Sequence, residues 1–154
     1  MKNAKVITFD PRYREDYKTL NTWWIQKWFK VEAKDIAQLE APEECLEEGG
    51  QIFFVIADEK AWGTCALYKI GPRRYELAKM GVSPDARGLG YGDLLMESAE
   101  QWARTQNATE IMLQSNRVLE SAISLYKKHG YKEVPIATPS EYERCNIEMI
   151  KPLV

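Results

Sequence analysis

Between Val82 and Leu95 the chain reads VSPDARGLGYGDLL, and no other stretch limits the fold as strongly. An extended run ends at a proline, a loop with Arg87, Gly88, Gly90 and Gly92 follows, and a helix-like sequence begins. The N–H groups of a helix's first turn have no partner inside the helix, and the helix dipole adds positive charge there. Glycines at that point allow close approach to the backbone. The stretch therefore reads either as a plain structural turn or as a cradle for an anion such as phosphate. Arg87 would add a fork of donors. Asp93 fits poorly beside an anion and reads instead as a helix cap. No Gly-Lys-Ser/Thr follows, so the loop is not a Walker loop. It is a poor dinucleotide fingerprint too, because the third glycine is misplaced and the strand before it reads as antiparallel.

The flanking segments give an order of elements. AKVITF reads as a strand, and Asp10-Pro11 opens a helical region through RYREDYKTLNTWWIQKWF. Further helical pieces follow at AKDIAQLE and PEECLEE, stopped by Gly49-Gly50. QIFFVIAD and WGTCALYKI read as a hairpin, and Gly71-Pro72 turns the chain into the strand RYELAKMGV. After the glycine loop a helix runs from about Gly90 to Thr105, with Leu94, Leu95, Ala99, Trp102 and Ala103 on one stripe. TEIMLQS is a strand, LESAISLYKKHG a helix stopped at Gly130, and YKEV and RCNIEMI close the chain as strands. The class is α+β, a mixed and mostly antiparallel sheet with helices on both faces. The late β-α-β segment implies a crossover.

One domain is expected over residues 1–154, long enough to bury a core without disulfide or metal staples. The net charge of −2 gives no reason to expect nucleic acid or an anionic membrane as partner. The N-terminus lacks a signal-like apolar stretch, and no run approaches the roughly 20 apolar residues that span a bilayer. A cytoplasmic location is the resulting expectation. Cys45, Cys65 and Cys145 show no metal or redox spacing and read as structural. With a single histidine in the chain, no metal is expected.

The loop Arg87-Gly88-Leu89-Gly90-Tyr91-Gly92 resembles motif A, R/Q-x-x-G-x-G/A, of the GNAT superfamily of acyl-CoA-dependent N-acetyltransferases. NRVLESAISLYKKHGY resembles its motif B, with Asn116, Ala122, Leu125, Tyr126, Gly130 and Tyr131 at the matching positions. The two motifs stand in the right order of elements, and the resemblance covers the whole domain, most generically over residues 10–50. It implies a six- to seven-stranded GNAT-like sheet. It also implies acetyl-CoA as co-substrate, with its pyrophosphate on the backbone of Arg87, Gly88, Leu89, Gly90, Tyr91 and Gly92. The pantetheine arm would lie along Met80, Gly81 and Val82, in a gap opened by a bulge in the fourth strand, for which Gly81 is suited. Asn116 would touch the same arm, or else serve as a cap or turn residue. Family members often pair through sheet edges or C-terminal strands, so a homodimer is compatible with the resemblance.

Acetyl transfer requires a neutral amine and a group to take its proton. Glu76 is the candidate base. Strand alternation places it with Ala78, Met80 and Val82, on a face where burial would raise its pKa. It could equally pair with Arg73 or Arg74, or face solvent. Tyr126, on the motif B tyrosine, is the candidate acid for the leaving thiolate, and it also lies on its helix's apolar stripe as a core aromatic would. His129 reads better as a residue of a helix end than as a base. The acceptor is expected between the first helices and the loop joining the last strands. There Trp24 and Trp28 share a helix face and could line a pocket, although most of the aromatic load around Trp23 and Phe29 should be core. Pro135 and Pro139 would stiffen the facing loop. The acidic stretch EAPEECLEE reads as a solvated helix face. The reading that follows is acetyl transfer to a primary amine of a small molecule. Protein or peptide acetylation, and a non-catalytic acyl-CoA-binding regulatory domain, stand as alternatives.

Overall fold

Strand β2 (Gln51–Ala57) sets the architecture, because both of its faces are apolar. Phe53 and Val55 enter one core, and Ile52, Phe54 and Ile56 enter another. A strand buried on both faces must be covered on both. The computed structural model describes residues 3–136 and 140–154. After β1 (Lys5–Thr8) and a 3-10 turn at Pro11–Tyr13 come α1 (Arg14–Trp28), α2 (Ala33–Glu40) and α3 (Pro42–Glu47). Strands β2, β3 (Lys60–Gly71) and β4 (Arg74–Val82) follow as the predicted meander. Then come α4 (Tyr91–Thr105), β5 (Glu110–Ser115), α5 (Glu120–Lys128), β6 (Lys132–Val134) and β7 (Ile147–Pro152). The sheet has seven strands in the order β1-β2-β3-β4-β5-β7-β6. Among the described residues only β4 and β5 pair in parallel. No described helix is long and apolar enough to cross a membrane.

The crossover through α4 joins two strands that stay together only at their base. Pairing runs from Arg74↔Glu110 to Glu76↔Met112 and stops there. Beyond it β4 continues to Val82 and β5 to Ser115 without each other, so a V-shaped gap opens with Glu76 at its apex.

The bulge lies elsewhere than expected. Ala66 pairs with Ala78 and Thr64 with Gly81, so Lys79 and Met80 together face the single residue Cys65. Lys79 takes the positive φ of 55°. A non-glycine residue in that region costs about 1–2 kcal/mol. Gly81 answers a different need: a Cβ there would lie 3.0 Å from the Trp24 ring and 3.1 Å from the Leu20 carbonyl oxygen. It lets α1 press onto β4. The inserted residue also breaks the alternation on which the grouping of Glu76 with Met80 and Val82 rested. Tyr75, Leu77, Met80 and Val82 pack with the α4 core. Glu76 and Ala78 lie opposite Tyr68 and Ala66, which belong to the α1 side.

Candidate active site

A cleft of about 680 Å³ follows the gap from the glycine loop to the end of α1. Its first arm is built from backbone. Gly88 and Gly90 have φ of 77° and 78°, and a Cβ on either would meet nothing within 4 Å. These glycines are therefore required by conformation, and the space before them is open. Among the described residues no side chain caps α4, so the N–H groups of Tyr91, Gly92 and Asp93 point out of the helix end free of such a bond. Arg87 forms no ion pair among the described residues. Such a cradle of N–H groups, open space and a free guanidinium fits a pyrophosphate. Leu89 is exposed on the loop. Gly92 is set by packing instead, since its Cβ would lie 3.0 Å from Leu125 of α5. Asp93 does not cap α4: it accepts from His129 at 2.7 Å and Lys128 at 2.8 Å, tying the start of α4 to the end of α5. His129 is thereby a brace between helices.

The centre of the cleft holds Glu76, Met80, Gly81, Val82 and Tyr126. Arg74 pairs with Glu110 across the parallel strands and leaves Glu76 alone. Among the described residues Glu76 has no ion-pair partner within 4 Å. Burial raises its carboxyl pKa above the ordinary value, partly offset by the charges of Lys34 and Lys79. Tyr126 is buried at 8% exposure and belongs to the α4 core, as an aromatic on the apolar stripe would, and it also lines the cleft. Burial pushes its hydroxyl pKa up and keeps it protonated. Asn116 lines the cleft with its side chain already engaged. It donates to the Arg144 carbonyl at 2.7 Å and accepts from the Val118 N–H at 2.9 Å, holding the turn before α5 against the β6–β7 connection.

The second arm is walled by aromatic rings and closed by a salt-bridge cluster. Trp28 is 46% exposed and Trp23 37%, both at the mouth, with the Lys27 ammonium 5.3 Å and 5.5 Å from the centres of the Trp23 and Trp28 rings. Trp24 lies deeper, under Gly81, and donates to Asn21 at 2.9 Å. Trp23 thus joins the predicted pair. At the floor Lys79 is 4% exposed and Asp35 fully buried. Lys79 donates to Asp35 at 2.6 Å and to the Tyr142 hydroxyl at 3.0 Å. Arg144 grips both oxygens of Asp35 at 2.7 Å. Tyr142 donates onward to Gln38 at 2.6 Å. Burial disfavours the Asp35 carboxylate, but Arg144 and Lys79 outweigh it and hold its pKa far below the ordinary value. Lys79 shares Asp35 with Arg144, so burial still brings its ammonium down to about 8. Of the two prolines expected to stiffen the facing loop, Pro139 lies outside the described residues.

Sequence reasoning missed this cluster. The one local signal was a lysine inside the apolar strand LAKMGV. Asp35 is legible as the N3 residue of a capping box with Glu32, which says nothing of its buried side. Cys45 and Cys65 are buried, and all three thiols are free, as expected of structural cysteines. The acidic stretch is a surface face, with Glu40 on Lys18 and Glu43 on Arg14.

The chain is similar to known acetyltransferases in sequence and in fold. It is 30% identical to human N-acetyltransferase 8B over 94 residues, which is 57% of this chain and 41% of that protein. It thus matches about two fifths of the length of that relative. An acetyltransferase of the GNAT family from Staphylococcus aureus Mu50 superposes with a TM-score of 0.89 at 22% identity, over 99% of this chain and 100% of the other. An aminoglycoside 6'-N-acetyltransferase solved with coenzyme A gives 0.75 at 15% identity, over 97% of both chains. Residues 12–131, from the 3-10 turn to the end of motif B, match the sequence profile of the acetyltransferase (GNAT) family, and the chain belongs to that family.

Proposed function

We propose that this domain transfers the acetyl group of acetyl-CoA directly to a primary amine of a small molecule. The observation that carries the reading is the V-shaped gap, with an unpaired, half-buried carboxylate at its apex and an open glycine cradle at one end. Acetyl-CoA supplies the acetyl group as an activated thioester. The loop Arg87–Gly92 holds its pyrophosphate through backbone N–H groups and the Arg87 guanidinium. Where β4 leaves β5, its gap-facing backbone at Met80, Gly81 and Val82 has no strand partner and is available to amide groups of the pantetheine arm. Glu76 takes the proton that the attacking amine must lose, a task suited to a carboxylate whose pKa burial has raised. Tyr126, held protonated, gives a proton to the departing thiolate.

The second arm supports a compact acceptor. The connection before β7 is stapled to α2 by Arg144 and Asp35, and Trp23, Trp24 and Trp28 wall the space. Aromatic walls suit amines carrying flat or apolar groups. The test is free-thiol release from acetyl-CoA with 2-phenylethylamine, spermidine, L-lysine and a peptide with a free N-terminal alanine, each alone. Turnover with one or more of the small amines is expected. Turnover confined to the peptide would replace the small-molecule reading with a peptide one. Tight acetyl-CoA binding with no turnover at all would favour a sensor of acyl-CoA.

A further inference from the structure

We propose that Lys79 is a positioning residue for the transfer, its ammonium locking the β4 bulge so that Glu76 and the Met80–Val82 segment face the gap in register. The proposal rests on the acetyl-transfer reading. Lys79 is the inserted residue of the bulge, and it holds a left-handed backbone that only glycine adopts freely. Such a conformation persists where surrounding contacts over-determine it. Those contacts come from two other elements. Asp35 of α2 and Tyr142 of the β6–β7 connection both bond the ammonium, and Arg144 fixes Asp35 from the far side.

What the bulge decides is the orientation of the strand beyond it. Before it, Glu76 and Ala78 point to the α1 side. After it, Met80 and Val82 turn to the α4 side and Gly81 lies under α1. Removing the inserted residue's hold would let the strand relax toward plain alternation, with Met80 swinging onto the face of Glu76. The donor segment and the proton acceptor would then lose their relative placement, while the glycine cradle, on a separate loop, would keep its shape.

The charge of Lys79 adds a second readout. The charged groups acting on Glu76 are Lys34 on α2, Lys79 on β4, Glu141 in the β6–β7 connection and Glu148 on β7. The Tyr68 hydroxyl stands on β3, with Tyr68 the direct cross-strand neighbour of Glu76. Lys79 favours the ionised carboxylate, so removing its charge raises the Glu76 pKa, and an arginine in its place does not.

The experiment compares Lys79→Gly, Lys79→Met and Lys79→Arg with the wild type. Glycine holds the positive φ without strain but does not enforce it, so Lys79→Gly removes the lock without imposing a clash. Acetyl-CoA affinity is measured by calorimetry, turnover with an equimolar mixture of the four acceptors above, and the Glu76 titration by carboxyl carbon-13 NMR. For Lys79→Gly, kcat should fall about 100-fold, the scale of a misplacement near 1 Å, with a much smaller rise in acetyl-CoA Kd, because the glycine cradle keeps its shape. The Glu76 titration should move to higher pH in Lys79→Gly and Lys79→Met and stay in place in Lys79→Arg. Unchanged kcat would overturn the proposal. So would a kcat loss no larger than the loss of acetyl-CoA affinity, which marks a merely structural residue. If the wild type turns over none of the four acceptors, the small-molecule reading fails separately. The backbone amide NMR shifts of Met80–Val82 then judge Lys79 alone, unmoved signals in Lys79→Gly overturning its role and displaced ones supporting it.

Discussion

The two arms of the cleft are built in opposite ways. The arm proposed for the donor is one stretch of chain, Arg87–Gly92, which offers backbone N–H groups and empty space in front of Gly88 and Gly90. The acceptor arm is assembled from side chains of α1, α2, β4 and the β6–β7 connection, with Asp35 and Arg144 separated by 109 residues of sequence. A backbone cradle tolerates change in any side chain that points away from it. A side-chain cluster depends most on the member its charges share, here Asp35, which balances both Lys79 and Arg144. The donor arm should therefore fail only at its glycines and its arginine, and the acceptor arm should fail first at Asp35, which both cations share.

The largest effect expected from that contrast is on stability. Asp35→Ala leaves Lys79 and Arg144 buried without their shared carboxylate, and a loss of about 3–5 kcal/mol is expected in urea denaturation. A change below about 1 kcal/mol would show the cluster to be solvated and the contrast overstated. Next comes chemistry at the junction of the arms. Glu76→Gln should lower kcat/KM by about 10²–10⁴-fold and abolish the low-pH limb of the profile. In the wild type, activity is lost as pH falls through the raised pKa of Glu76, so that limb should lie above the ordinary glutamate range. An identical profile in both forms would remove Glu76 as the base.

In the donor arm, Arg87→Ala combined with Gly90→Glu deletes the cation, strains the backbone and points a carboxylate at the cradle. Acetyl-CoA Kd should rise about 100-fold or more, roughly 3 kcal/mol, with Tm little changed. Undiminished affinity by calorimetry would move the pyrophosphate elsewhere. Tyr126→Phe should lower kcat by about 10²-fold, the low end for a lost general acid, with acetyl-CoA KM unchanged. Equal kcat would return Tyr126 to the core alone. The smallest effect belongs to the mouth: Trp28→Ala should raise KM for an aromatic amine by about 1 kcal/mol, several-fold, and leave kcat alone. An unaltered KM would show that Trp23 and Trp24 suffice as the wall.

How much of this was legible varied with how local each feature is. The order of elements could be read because hydrophobic period, Gly49-Gly50, Gly71-Pro72 and Gly130 mark each segment within its own neighbourhood. The glycine loop was legible for the same reason. Gly81 was correctly marked as special but for the wrong cause, since close approach of Trp24 and Leu20 comes from another element. The face of Met80 and Val82 was misjudged because alternation assumes an uninterrupted strand, and the inserted Lys79 shifts everything after it.

By itself, then, the sequence determined the elements, the mixed sheet with helices on both sides, and the glycine loop at the start of α4, because each depends on φ preferences and side-chain period over a few consecutive residues. Tertiary structure alone decided where β4 leaves β5, which face Glu76 shares, and that Lys79, Asp35, Tyr142 and Arg144 form one buried cluster. Those depend on pairing register and on charges brought together from distant segments. The stability of a buried charge is set by its neighbours in space, and the order of residues along the chain does not state them.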